Sequence, residues 1–184
     1  WEAGLLFYAA GLLAWHGRAR YCGVCGAPTR LERSGHQRVC TDPGCGRTDF
    51  PRTDPAIITL VRCGDRALLG HQPRWPDGMY STLAGFVEPG ESLEQAVARE
   101  VEEEVGLTVV RTEYVASQPW PFPHTVMIGF RTAVAPGEIV LGDELSDARW
   151  FTRPELRAAL AAQRITIPAP YALSRSLIEN WLGE

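Results

Sequence analysis

Followed along the chain, the apolar and polar positions divide it into three regions. Residues 1–20, "WEAGLLFYAAGLLAWHGRAR", hold the longest apolar stretch, broken by Glu2, Gly4, Gly11, His16 and Arg18. The pattern predicts an amphipathic helix, and it is too short to span a bilayer. Residues 21–50 carry Cys and Gly and few aliphatic side chains, so they cannot build a core of their own. From Pro51 to Glu184 the pattern is mixed α and β. "AIITLV" (56–61), "ALLGHQ" (67–72) and "YSTLAGFV" (80–87) predict strands, the first two around the turn "CGDR". A helix is predicted from Ser92 to Val105, then strands over 108–117, 125–135 and 148–151. "TRPE" (152–155) is a capping box with Pro just inside the helix start, opening a helix to about Ala162. A last helix is expected from about Tyr171 to Trp181.

The segment "SQPWPFPHTVM" (117–127) fits none of these elements. Its prolines fix φ and remove backbone donors, which excludes a helix or an ordinary central strand. They also hold Trp120 and Phe122 on a stiff backbone, an arrangement suited to stacking on a flat ligand at low entropic cost.

Composition narrows the function classes. The 184 residues suffice for one substantial core and a small module, and 45% hydrophobic with 22% charged residues is ordinary for a globular protein. A net charge of −4 advertises no basic surface for nucleic acid or anionic membrane. The start has neither a basic flank nor a cleavage site, so no signal peptide is read and a cytoplasmic location is expected. The chain begins with Trp, and we expect residues 1–20 to close a longer N-terminal region.

Four of the five cysteines form a set, Cys22-x2-Cys25 and Cys40-x4-Cys45, separated by fourteen residues. Thiolates at this spacing can close a tetrahedral zinc site, and a segment with so little core needs such a staple. Two disulfides are the alternative. Four sulfurs leave no open position, so the zinc is structural, one per chain. Cys63 is read as a bystander and His36 as a surface residue rather than a spare ligand.

The predicted helix presents Glu100, Glu103 and Glu104 at i, i+3 and i+4, within an arc of roughly 100°. Glu102 points away, and Leu93, Val97, Val101 and Val105 form the docking stripe. Crowded carboxylates repel unless a cation joins them, and hard oxygen ligands suit Mg²⁺ or Mn²⁺. The expectation is that no Lys or Arg four residues away relieves this repulsion.

Residues 85–107, "GFVEPGESLEQAVAREVEEEVGL", resemble the box that defines the Nudix hydrolases. Gly85, Glu91, Arg99, Glu100, Val101, Glu103, Glu104, Gly106 and Leu107 all stand at its defined positions. "SQPWPFP", "FPRTDPAII" (50–58) and the cysteine set resemble the family's NADH pyrophosphatase branch. The resemblance implies an α+β fold: a zinc ribbon at 21–50, then an α/β/α Nudix sandwich with a mixed sheet at 51–184. It also implies hydrolysis of the pyrophosphate of NAD(H) to NMN(H) and AMP, with Mg²⁺ or Mn²⁺ as catalytic metal.

Carried over residue by residue, the resemblance makes Glu100, Glu103, Glu104 and Glu144 catalytic and metal-holding, with Ala84 a further metal contact. Glu144 is chosen over Asp143 and Asp147 in "GDELSDARWF" (142–151). Phe50, Ile58, Phe86, Gln118, Trp120, Thr125, Met127 and Ser174 would line the substrate pocket, Thr125 standing where the branch usually has Ser. The branch further implies a homodimer whose Trp120 completes the partner's site, and an NAD cap on RNA as a possible substrate. A broad-specificity pyrophosphatase acting on ADP-ribose or diadenosine compounds is the rival within the enzyme class. A zinc-ribbon binding module on an inactive scaffold is the rival outside it.

Overall fold

The apolar run at the start folds as helix α1 (Glu2–Arg18) in the computed structural model, which describes residues 2–184. Trp15 and Ala19 are buried, but Leu5, Leu6, Tyr8 and Leu13 are exposed. Apolar side chains thus lie on both the covered and the open face, and the expected amphipathic division is absent. After α1 come β1 (Thr29–Glu32), β2 (Gln37–Cys40) and β3 (Thr48–Asp49), a three-stranded sheet with both pairs antiparallel. Arg38, buried, donates from Nε to Thr29 Oγ1 at 2.7 Å, and that hydroxyl donates to Ala19 O at 2.6 Å. The tie fixes the sheet to the end of α1.

These elements belong to a compact unit made of the chain through Asp54 together with Pro119–Val126. A second unit comprises Pro55–Gln118 and Met127–Glu184. It holds most residues of six further strands: β4 (Asp54–Cys63), β5 (Arg66–His71), β6 (Leu83–Phe86), β7 (Val109–Trp120), β8 (Thr125–Val134) and β9 (Asp147–Phe151). They form one sheet in the order β7-β8-β4-β5-β9, with β6 also paired to β4.

Period-two alternation along β4 feeds both faces of this sheet. Ile57 and Val61 pack with Ala96, Val97, Val101 and Val105 of helix α2 (Leu93–Val105). Ile58 and Leu60 pack with Leu156 of α3 (Arg153–Ala161) and with Leu177, Ile178 and Trp181 of α4 (Leu173–Gly183). Helices therefore cover both faces, as the α/β/α expectation requires. Among the described residues no helix is long and apolar enough to cross a membrane.

The proline-rich segment departs from its reading in part. β7 runs through Ser117, Gln118 and Pro119 to Trp120, because it is the edge of the sheet and an edge strand tolerates a missing N–H. The turn beyond it is fixed within the first unit. Asp54 N donates to His124 O at 2.7 Å, and the Asp54 carboxylate lies 3.1 Å from His124 Nδ1.

Candidate active site and zinc centre

The cysteine set is brought together in the first unit. The Sγ atoms of Cys22, Cys25, Cys40 and Cys45 all lie within 4.8 Å of one another. Two of the separations, Cys25–Cys40 and Cys22–Cys45, are 3.4 and 3.8 Å, far beyond a disulfide bond of about 2.05 Å. They are close to the edge of a tetrahedron with metal–sulfur bonds of about 2.3 Å, near 3.8 Å. Tight turns aim the sulfurs: Gly26 N donates to Cys22 O at 2.9 Å and Gly46 N to Asp42 O at 3.0 Å. Backbone N–H groups of Cys25 and Val24 hold the Cys22 thiol down at about 7, so it ionises readily. Burial pushes the Cys40 thiol up to about 12, a thiol that only a metal would deprotonate near neutrality. The donor set fits zinc. His36 stands apart, bonded to the Tyr8 hydroxyl and to Arg33 O. Cys63 lies at the end of β4, outside the cluster.

In the second unit the carboxylates are gathered by helix α2, which starts at a capping box. Gln95 N donates to Ser92 Oγ at 3.2 Å, and Ser92 N donates to Gln95 Oε1 at 2.8 Å. Fully buried Val97, Val101 and Val105 seat the helix against the sheet. That orientation turns Glu100 and Glu104 inward, where they are 7% and 3% exposed, and leaves Glu102 in solvent. Glu100 lies so close to β6 that a Cβ on Gly85 would sit 1.9 Å from its carboxyl carbon. Only glycine fits there.

The loop after β8 closes on the last turn of α2. Val140 N donates to Val105 O and Gly142 N to Glu104 O, each at 3.0 Å. A Cβ on Gly142 would lie 2.1 Å from Glu103 O, so this approach also demands glycine. It brings Glu144 to a cavity of about 340 Å³ shared with Glu100, Glu103, Glu104 and Asp143. Asp147 is engaged elsewhere, accepting from the Tyr80 hydroxyl and paired with Arg149.

The expectation that no base relieves the carboxylates is wrong. Arg99 stands four residues before Glu103, and its Nη1 is 3.0 Å from Glu103 and 2.7 Å from Glu100. The same guanidinium donates to both oxygens of Glu91, at 2.8 and 3.0 Å, and to Phe86 O at 2.9 Å. It is raised above the ordinary arginine value by these bonds, Glu91 first, and Glu91 is lowered in return by Arg99. Arg99 and Glu91 are thus parts of the site that the sequence reading placed in the motif without a role.

Glu104 is the opposite case. Burial, then the charges of Glu100, Glu144 and Glu103, push its carboxyl up to about 8. Its Oε2 is buried with no hydrogen-bond partner. Glu100 is also raised, by burial first and against the pull of Arg99. Four glutamates around one cavity, two of them buried, fit a hard divalent cation.

The residues assigned to substrate fall in both units. In the first, Phe50 is 60% exposed, Thr125 is buried, and Trp120 meets Phe122 edge-on with ring centroids 5.6 Å apart. In the second, Phe86 is 60% exposed at the end of β6, next to Ala84 and Gly85. Ile58 pairs with Ala84 in the strand register, and Met127 packs against the core that contains Ile58. The Gln118 amide donates to Tyr171 O at 2.6 Å and accepts from Leu173 N at 2.8 Å, clamping the start of α4. Ser174 is buried in the first turn of that helix.

Comparison with known proteins assigns a family to each of two regions of the chain. Residues 51–169 match the model of the NUDIX domain, and residues 18–48 match the NADH pyrophosphatase zinc ribbon domain. The NAD-capped RNA hydrolase NudC of Mycobacterium tuberculosis is 47% identical over 188 residues, covering 96% of this chain and 59% of that protein. The NAD-capped RNA hydrolase NUDT12 of Homo sapiens is 42% identical, covering 98% of this chain and 42% of that protein. The chain therefore spans less than two thirds of the length of these relatives. Among solved structures, a Nudix hydrolase from Nitrosomonas europaea superposes with a TM-score of 0.62 at 26% identity, over 74% of this chain and 79% of that one.

Proposed function

Because the chain belongs to the Nudix family and carries the zinc ribbon of NADH pyrophosphatases, we propose that it hydrolyses the pyrophosphate of NAD(H) to NMN(H) and AMP. The observation that carries this reading is the cavity where Glu100, Glu103, Glu104 and Glu144 meet beside a single guanidinium. Those four side chains, with the Ala84 carbonyl, would hold Mg²⁺ or Mn²⁺. The cation, when bound, neutralises charge on the diphosphate and on its leaving group. Arg99 holds Glu91, Glu100 and Glu103 in one frame. Glu103, its side chain 60% exposed, would take a proton from the attacking water. Water adds to one phosphorus, the bridging P–O bond breaks, and both products leave as monophosphates.

Phe50, Phe86 and Trp120 are the candidates to stack on the flat rings, with Ile58, Gln118, Thr125, Met127 and Ser174 around them. Thr125 keeps a hydroxyl where the branch usually has Ser. Relatives named as NAD-capped RNA hydrolases support an NAD cap on RNA as a second form of the substrate. The protein is taken to act in the cytoplasm, with one structural zinc per chain, and as a homodimer sharing its sites.

A panel of NADH, NAD⁺, ADP-ribose and NAD-capped RNA with Mg²⁺ or Mn²⁺ tests the reading. NADH is expected to exceed ADP-ribose in kcat/KM by at least roughly tenfold, since only NADH has a nicotinamide ring to stack. Glu103→Gln and Glu104→Gln are each expected to lose about 10²–10⁴-fold in turnover while remaining folded. Equal rates on NADH and ADP-ribose would favour the broad-specificity pyrophosphatase, and full activity in both variants would remove the assigned carboxylates from the chemistry.

A further inference from the structure

The main sheet forks beside the carboxylates. β4 pairs with β6 through Ala56–Thr59 and with β5 through Val61–Cys63, so two strands share successive stretches of one neighbour. Beyond the parting, Gly70 and Ser81 exchange two backbone hydrogen bonds of 2.8 and 2.9 Å. A cavity of about 150 Å³ lies here, lined among others by Ile58, Gly70, Gln72, Trp75, Thr82 and Glu104.

Three of these residues bring an oxygen atom that is buried and has no partner: Gln72 Oε1, Thr82 Oγ1 and Glu104 Oε2. Thr82 and Glu104 are only 5% and 3% exposed. Buried polar atoms nearly always find a partner, so three orphans around one cavity is an unusual concentration. A site needs about 10–15 Å³ and two to four polar neighbours to hold a water, and this cavity offers ample room and three oxygens. The roles are complementary. The threonine hydroxyl can donate, whereas the amide oxygen and, once a cation has displaced its proton, the carboxylate oxygen can only accept, and a water can do both. Glu104 also lines the carboxylate cavity, so it stands between the two.

We propose that the fork cavity is a built water site, and that Thr82 and Gln72 are positioning residues acting on Glu104 through the water it holds. Thr82 Oγ1–H donates to that water, which donates to Gln72 Oε1 and Glu104 Oε2. The bonds fix the inward oxygen of Glu104 and so set how its carboxylate faces Glu100, Glu103 and Glu144. The inference rests on the reading of Glu104 as part of a divalent-cation site.

The test compares the wild type with Thr82→Val, which keeps the shape and removes the hydroxyl, and Thr82→Ser, which keeps the hydroxyl. Mn²⁺ affinity is measured by calorimetry at fixed pH without substrate, alongside thermal midpoints and a high-resolution crystal structure. The structure is expected to show ordered water touching Gln72, Thr82 and Glu104. Thr82→Val is expected to bind Mn²⁺ about tenfold more weakly with no loss of thermal stability, and Thr82→Ser to return within about twofold of the wild type. Gln72→Met gives a second route to the same loss should Thr82→Val not fold. A dry cavity, a valine variant that binds as the wild type does, or a serine variant as weak as valine overturns the proposal. A wild type that binds Mn²⁺ but leaves NADH intact overturns the hydrolase reading alone, and one that does not bind Mn²⁺ overturns both.

Discussion

Arg99 and Glu104 show how one helix can hold two carboxylate environments. Glu91, Glu100 and Glu103 share a half-buried guanidinium, while Glu104 faces like charges and has no donor on its inner oxygen. The consequence is a pH dependence of the metal-free protein. Glu104 holds its proton up to about 8 when folded, against an ordinary carboxylate value near 4.3 when unfolded. The folded state therefore binds the extra proton throughout that window. Stability from this group is fully present below the unfolded value and is lost as pH rises through about 8. In protein freed of Mg²⁺ and Mn²⁺ with its zinc retained, the thermal midpoint is expected to fall between pH 6 and pH 9, and saturating Mg²⁺ should flatten that slope by replacing the proton. A midpoint that rises over the same range in that protein would contradict the assignment. At this scale the one-sided placement of Glu100, Glu103 and Glu104 was legible from helical spacing alone. The Arg99–Glu103 spacing of four residues is equally visible in the sequence. The reach of Arg99 back to Glu91 and to Phe86 O was not visible, because it depends on how the loop before α2 folds over the helix.

Elements with a period and a start signal were legible nearly to the residue. Helix α2 begins after Ser92 as read, and α3 begins at the Thr152–Glu155 box. The two residues of β3 were not legible, since so short a pairing has no pattern to detect. β6 is half as long as the apolar run 80–87 suggested, because the sheet forks there and residues 80–82 leave the ladder with β4. β7 is longer than expected, because a sheet edge tolerates Pro119. The α2 cap gives a prediction that separates scaffold from chemistry. Ser92 is eight residues before the first of the cavity glutamates and touches none of them. Ser92→Ala removes the acceptor for Gln95 N and should cost about 1 kcal/mol, or roughly 2–4 °C in thermal midpoint for a chain of this size. NADH turnover at saturating metal should stay within about twofold, because Val97, Val101 and Val105 still dock the helix. A large loss of turnover without loss of stability would mean that the cap positions the glutamates directly.

For the whole molecule, the cysteine spacing, the glutamate helix and the proline-locked aromatics together were enough to read family and branch. What they could not supply is how those residues divide between two compact units. Phe50, Trp120 and Thr125 belong to one unit, while Phe86 and the four glutamates belong to the other. The first unit also leaves Leu5, Leu6, Leu13, Phe50 and Phe122 exposed, apolar surface that a second copy could cover. The proposed shared-site homodimer makes a quantitative prediction for a mixture of two inactive variants, Trp120→Ala and Glu104→Gln. In a heterodimer with shared sites, the glutamates of the Trp120→Ala chain meet the intact tryptophan of its partner. The other site of that dimer carries both defects. Random exchange of equal amounts places half of the dimers in the mixed form, each with one complete site of two, so about a quarter of wild-type activity should return. If each chain used its own Trp120, every site would keep one defect and mixing would restore nothing. Exchange is followed independently by mass spectrometry of differently tagged chains. Full exchange without recovered NADH hydrolysis would therefore place Trp120 in its own chain's site or outside the site altogether.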